Sequence, residues 1–306
     1  MRHSVARGTS LGVFVLLAMM LTVMAPVHAG EKPVVVATFT VLGDFVRQVT
    51  GDEAEVRVLT PEGAEVHEYE LRPRDFIDLE EADLVFYNGY TLEQWMSQLK
   101  MAVADGVPVV SLGEESGVEV LPIVTGEYEG EADPHLWMDP ARVKAYVEVI
   151  ASSLAERFPD RAEAFERNAQ AYQEELAALH RDLRDMLGRI PEDQRTLITS
   201  EAAFLYFAEA YGFHHDGIWG TNAESEGTSR QIMRIIDVIQ ERRPAAIFWE
   251  STISSRYVEG VSEDVGVPYT GPLYVDSLGK KGSGAETYVD MMRRNAELLT
   301  EALSDG

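Results

Sequence analysis

In an open parallel sheet, ligands gather beyond the carboxyl ends of the strands, so polar residues placed just after β-rich runs are the first to weigh. Four stand out. His67 follows the run Glu55–Leu59, His135 lies in Asp133-Pro134-His135 ahead of a helix, Glu201 directly follows Thr196–Thr199, and Asp276 follows Leu273-Tyr274-Val275. Imidazole and carboxylate can hold a cation or move a proton, but each also has a plainer use. A loop histidine is more often a surface or capping residue than a ligand. Glu201 could cap the helix behind it, and Asp276 could cap a turn with Ser277.

Hydrolytic chemistry is the main enzymatic alternative. His67-Glu68 begins like the H-E-x-x-H helix of a zinc protease, but after Tyr69 and Glu70 the position where the second histidine would stand holds Leu71, so the motif fails. Glu68 is then an exposed loop residue. Beyond the first 29 residues there is no G-x-S-x-G, and the chain has no cysteine, which leaves no nucleophile motif there.

The elements that must position these residues alternate along the chain. A β-rich run at Val34–Phe39 leads into a helical pattern through Phe45 and Val49, then a strand at Glu55–Leu59 ending in Pro61-Glu62-Gly63. Helix and strand alternate again at Asp75–Ala82, Leu84–Tyr87, Thr91–Ala102 and Val107–Ser111, which argues for a parallel, helix-covered sheet. Gly113–Asp133 reads as an acidic loop. Asp139-Pro140 looks like an N-cap followed by proline at the first helical position, opening a helix to about Phe158.

From Pro159 to about Leu187 there is no glycine and no internal proline, and apolar residues recur from Phe165 to Leu187 at steps of three and four. A helix of about 28 residues reaches some 40 Å, longer than a small domain is wide, so it is expected to join two lobes. The alternation then restarts: strand Thr196–Thr199, helices Ala202–Tyr211 and Ser229–Arg242, strand Ala245–Trp249, helices Ser255–Val265 and Glu286–Leu303. The expected fold class is α/β: two Rossmann-like lobes with parallel sheets, residues 30–158 and 189–306, joined by one long rigid helix at 159–188.

The first 29 residues read as a cleaved export signal. Arg2 and Arg7 are basic, Leu11 to Met24 is an apolar run of 14 residues, and Val27 and Ala29 occupy the small-residue positions of a cleavage site. With no cysteine there is no disulfide, no thiolate metal site and no acylated cysteine to anchor the product. The expected location is the periplasm, where a second membrane retains a free protein. The chain carries 26 Lys and Arg against 52 Asp and Glu; without the leader's two arginines this becomes 24 against 52, a net charge of −28. Nucleic acid and anionic membrane surfaces are poor partners for such a chain.

Four segments carry a resemblance that covers essentially all of the mature chain. Pro61-Glu62-Gly63-Ala64-Glu65-Val66-His67-Glu68-Tyr69-Glu70, with Pro73 and Asp75 after it, is similar to the first ligand segment of the zinc/manganese/iron solute-binding proteins of ABC importers, the cluster A-I family. Asp133 to Pro140 resembles the second, Thr199 to Phe207 the third, and Leu273 to Leu278 the fourth. The resemblance implies metal ligation by His67, His135, Glu201 and Asp276, two from each lobe, with the ion at the lobe interface. It also implies a monomeric carrier, without catalysis, that delivers its ion to an inner-membrane permease and ATPase.

The chemistry of the residues agrees. Two neutral imidazoles and two carboxylates balance a divalent cation in charge, which lowers the cost of burying it. In the family's zinc branch a histidine usually stands five residues before the Tyr-Phe pair; here Tyr206-Phe207 sets that register and residue 201 is glutamate. The zinc branch also often carries a His-rich loop before the second ligand, and Gly113–Asp133 has no histidine. A more oxygen-rich set favours Mn2+ or Fe2+ over Zn2+, although zinc stands above both in intrinsic affinity and remains a candidate. A zinc-specific carrier and a metal-dependent adhesin or sensor are the alternatives. Each imidazole needs an acceptor for its second ring N–H, which the sequence does not identify. The other histidines, including His180 and the pair His214-His215, are read as surface residues.

Overall fold

In the computed structural model of the protein, the residues described are Met1, 32–221 and 227–304; the expected export signal at 1–29 lies outside them apart from Met1. Strand β1 (Val34–Ala37) is flanked by β2 (Glu55–Val58) and β3 (Leu84–Tyr87), with β4 (Val109–Ser111) beyond, giving the order β2-β1-β3-β4 with every pairing parallel. Both faces are covered, as a parallel sheet requires. Along β1 and β3 the side chains alternate: Val35, Ala37, Leu84 and Phe86 enter the main core, while Val36 and Val85 enter a second one with Leu79, Trp95 and Leu99.

Helices α1 (Thr40–Thr50), α2 (Pro73–Glu80), α3 (Met96–Ala102) and the one-turn α4 (Leu112–Glu115) lie between these strands or follow them. α3 starts five residues later than the sequence pattern implied. The buried Glu93 carboxylate instead accepts from the backbone N–H of Asn88 and Gly89 and from the Thr38 hydroxyl. Tyr90 and Thr91 turn through positive φ around this anchor, so the segment becomes a turn before it becomes a helix.

α5 (Pro140–Arg157) begins as its sequence predicts: Asp139 Oδ1 accepts from Ala141 N at 2.9 Å, with proline at the first position. Such a cap contributes about 1 kcal/mol. The long helix α6 (Ala162–Leu187) follows a single 3-10 turn at Pro159–Arg161. Its residues from Phe165 to Leu187 at helical spacing are buried against α1, α5 and the closing helix α10 (Tyr288–Leu303). It is thus a spine laid along packed helices, with one face buried and the other polar, which keeps so long a helix from standing alone in water.

The second half contains β5 (Thr196–Glu201), α7 (Leu205–Tyr211), β6 (His214–Trp219), α8 (Ser229–Arg242), β7 (Ile247–Glu250), α9 (Arg256–Val265) and β8 (Tyr269–Leu273). β5 pairs with β6 and β7 with β8, both parallel. β6 was not expected, because His-His-Asp-Gly interrupts any alternation, and β8 ends at Leu273, where the β-rich run Leu273-Tyr274-Val275 was expected to begin, because Gly271-Pro272 hid its earlier residues. Gly217 has a positional reason: a Cβ there would stand 2.4 Å from Ala202 N and 2.6 Å from Glu201 C. Only glycine lets β6 lie this close to the end of β5.

The main core runs from β1 and α1 through α5, α6 and α7 to α10. A separate core, with Ile198, Ile218, Ile235, Ile247 and Val258, packs β5–β7 against α8 and α9.

Candidate metal centre

His135 is set by a buried turn. Asp133 Oδ1 accepts from His135 N at 2.9 Å and lies 3.1 Å from His135 Nδ1. A proton held between Nδ1 and this carboxylate fixes the ring and leaves Nε2 facing inward, 3.6 Å from Asp276 Oδ1. The carbonyls of the turn are held from both sides: Pro134 O accepts from Asn88 Nδ2 at 2.9 Å, and Asp133 O accepts from the Tyr206 hydroxyl at 2.7 Å. Trp137 Nε1 donates to Val275 O at 3.1 Å, tying this turn to the segment that carries Asp276.

His67 is set differently. Its backbone N–H donates to Glu65 Oε1 at 2.7 Å, and Trp95 Nε1 donates to Val66 O at 2.8 Å. The ring Nε2 lies 3.5 Å from Glu201 Oε1, 3.7 Å from Asp276 Oδ2 and 3.9 Å from Glu65 Oε1. Neither ring nitrogen has a hydrogen-bond partner among the described residues.

Glu201 is the last residue of β5 rather than the residue after it. Its N–H donates to Glu250 Oε1 and the Ser200 N–H to Glu250 Oε2, both at 3.0 Å. The buried Glu250 carboxylate therefore bridges the ends of β5 and β7, which are not paired by their backbones. Asp276 follows β8 in a segment pinned at both ends. Tyr274 exchanges hydrogen bonds with the Asn295 amide, and Leu278 N donates to Thr40 Oγ1 at 2.8 Å. Ser277 Oγ accepts from Gly63 N at 2.7 Å, joining this segment to the loop that carries His67.

The fold thus brings together all four sequence-predicted residues. His67, His135, Glu201 and Asp276 are buried, and one potential ligand atom from each lies within 4.8 Å of the others. His67 Nδ1 and Nε2, His135 Nε2 and Asp276 Oδ1 are buried without hydrogen-bond partners among the described residues. Unspent polar atoms are costly in an interior, and their convergence from four separate segments fits a cation, whose charge would satisfy them.

The electrostatics point the same way. Burial alone would depress the His135 imidazole, but the Asp133 carboxylate beside Nδ1 and the Asp276 carboxylate facing Nε2 outweigh it and push the group up to about 10. His67 is likewise raised well above the ordinary histidine range, burial being overcome by Glu201, Glu65 and Asp276. Partial burial, reinforced by Asp276 and Glu201, pushes Glu65 up to about 7. Burial and the nearby Glu201 push Glu250 up to about 8. Without a metal the site draws protons to the place where a cation would sit, and a divalent ion must displace them to reach the imidazole nitrogens.

Sequence reasoning missed Asp133, Glu65 and Glu250. The first two share a readable signal, an acid two residues before a histidine in Asp133-Pro134-His135 and Glu65-Val66-His67, and in both the carboxylate accepts from the histidine N–H. Glu250 leaves no such trace, being remote in sequence. One expectation is corrected. His215 is not a surface residue: it sits within β6, buried, its Nε2 accepting from Phe204 N at 3.0 Å and its Nδ1 lying 3.1 Å from Leu197 O. His180 and His214 are half-buried.

Comparison with known proteins bears on this geometry. Residues 35–302 match the model of the family described as zinc-uptake complex component A, periplasmic. The chain is 41% identical over 275 residues to the manganese-binding lipoprotein MntA of Halalkalibacterium halodurans, covering 90% of each. It is 40% identical over 276 residues to the iron-binding protein YfeA of Yersinia pestis, covering 90% of this chain and 88% of that one. Among solved structures, the periplasmic zinc binding protein TroA of Treponema pallidum superposes with a TM-score of 0.83 at 31% identity, over 90% of this chain and 100% of that chain.

Proposed function

This chain belongs to the zinc-uptake complex component A family, and from that membership we propose that it captures one Mn2+ or Fe2+ ion and delivers it to an ABC importer. The ligands in this reading are His67, His135, Glu201 and Asp276. It is a solute-binding protein rather than an enzyme. The observation that carries the proposal is the convergence of these four buried side chains, with His67 Nε2, His135 Nε2 and Asp276 Oδ1 lacking hydrogen-bond partners among the described residues. Two carboxylates neutralise the ion, and their four oxygens with two ring nitrogens offer up to six donors, a number that manganese and ferrous iron accept more readily than zinc. The names of MntA and YfeA support the same preference.

In this reading the protein is a monomer of two lobes, 30–158 and 189–306, spanned by the helix at 159–188. It works in the periplasm after loss of residues 1–29, with an inner-membrane permease and its ATPase as partners. Among the described residues no helix is long and apolar enough to cross a membrane.

The test is competition against a chromophoric chelator at fixed pH, without oxygen for Fe2+, on the wild type and Glu201→His. The substitution replaces an oxygen donor by a third imidazole, so Mn2+ affinity is expected to fall at least about tenfold further than Zn2+ affinity. Equal losses, or a selective loss of zinc, would remove residue 201 as the basis of the preference. Failure of the wild type to bind any of the three ions would overturn the carrier reading itself.

A further inference from the structure

Glu65 is the acid at the site for which the four-ligand set has no use. Its Oε1 lies 3.9 Å from His67 Nε2, the same ring nitrogen that faces Glu201 and Asp276. Three carboxylates therefore surround that nitrogen, and their exposures differ sharply: the side chains of Glu201 and Asp276 are 5% and 2% exposed, whereas that of Glu65 is 37% exposed. The comparison with Asp133, which has the same spacing from its own histidine, sharpens the point. Asp133 is buried and lies within hydrogen-bond reach of the His135 ring, whereas Glu65 accepts from the His67 N–H alone and opens to solvent.

A hydrated divalent ion cannot pass from water to four buried ligands in one step, because each water lost must be replaced by a protein donor. The donor it meets first must touch both solvent and the site. We propose that Glu65 is this transfer ligand: its carboxylate binds the partly hydrated ion at the mouth, passes it to His67, Glu201 and Asp276, and receives it again on release. The proposal rests on the reading of the four buried residues as the metal site. A group that acts only in transit lowers the barrier without changing its ends, so it accelerates association and dissociation equally and leaves affinity alone.

The experiment is stopped-flow mixing of metal-free protein with Mn2+, and of Mn2+-loaded protein with excess chelator, for the wild type, Glu65→Gln and Glu65→Asp. Gln keeps an acceptor for the His67 N–H and removes the charge; Asp keeps the charge should the Gln variant fold poorly. Glu65→Gln is expected to slow both rates by about tenfold with Kd held within about threefold. Glu65→Asp is expected to fall between it and the wild type. The slowing should persist at about 0.5 M salt, where long-range steering is screened, and Glu68→Gln, an exposed charge on the same loop, should change neither rate there. Unchanged rates, or slowing that vanishes in high salt, would overturn the proposal. So would a weakened Kd arising from faster dissociation alone, since Glu65 would then be a ligand of the resting site. A wild type that binds no metal would instead overturn the site reading on which this one stands.

Discussion

Among the described residues three imidazoles are buried, and they divide two to one. His67 and His135 present an Nε2 with no hydrogen-bond partner to converging carboxylates, and both are raised far above the ordinary histidine range. His215 engages both nitrogens with backbone groups, and burial pushes it down to about 4. Burial is therefore no mark of a ligand. The discriminating features are a nitrogen left unspent and a field that favours positive charge at that point. His215 is a neutral structural piece that bridges β5, β6 and the start of α7, whereas the other two are incomplete without a cation.

The largest effects should fall along this division. Alanine at His67, His135, Glu201 or Asp276 is expected to weaken Mn2+ binding more than roughly 100-fold, beyond what loss of a supporting residue usually costs. Alanine at His214, or Asn at His215, should leave affinity within about threefold, although the His215 variant will be less stable because it loses buried hydrogen bonds. Chelator competition measures all six variants. Two of the four ligand variants with wild-type affinity, or metal loss in the His215 variant, would erase the distinction between the two kinds of histidine.

A smaller effect separates the two ligand histidines from each other. His135 is oriented by Asp133, while the His67 ring has no corresponding acceptor among the described residues. Asp133→Ala is expected to weaken binding about 10–100-fold, and Asp133→Asn to sit at the lower end, since its amide oxygen can still accept from Nδ1. Equal affinities for Asp133→Ala and the wild type would mean that the turn alone, through Asn88, Tyr206 and Trp137, orients the ring.

The four residues were legible as candidates because each stands beside a local signal, namely a strand end, a proline turn or a helix start, and it was the family resemblance that marked them as ligands. The spine helix was legible because its apolar spacing persists from Phe165 to Leu187. What escaped was set by contacts between distant segments. β6 carries Gly217 to admit the Glu201 backbone, β8 contains Gly271-Pro272, and Glu250 reaches Glu201 from another strand. His215 was misplaced for the same reason: the partners that bury it, Leu197 and Phe204, belong to β5 and to the segment before α7. Adjacent to the half-exposed His214 it read as one of a surface pair, yet alternation along a strand puts neighbours on opposite faces.

The smallest expected effect tests the division through pH, because the two kinds of buried histidine respond with opposite sign. An unfolded histidine titrates near 6.5. His67 and His135 bind protons more tightly folded than unfolded, so in metal-free protein their contribution is present below about 6.5 and lost as pH rises through their raised values. His215, held down to about 4, binds protons less tightly when folded. Its contribution is complete above about 6.5 and is lost as pH falls from there toward 4. Urea unfolding of the metal-free wild type therefore mixes the two trends, but the difference between the wild type and His215→Asn isolates the second, since the ligand histidines are common to both. That difference is expected to shrink by about 2 kcal/mol between pH 7 and pH 5, because over about 1.5 pH units the unfolded chain's imidazole takes up a proton that the folded one refuses. A difference that stays constant would show that His215 is not held neutral by the fold, and a difference that grows would place it with His67 and His135 instead.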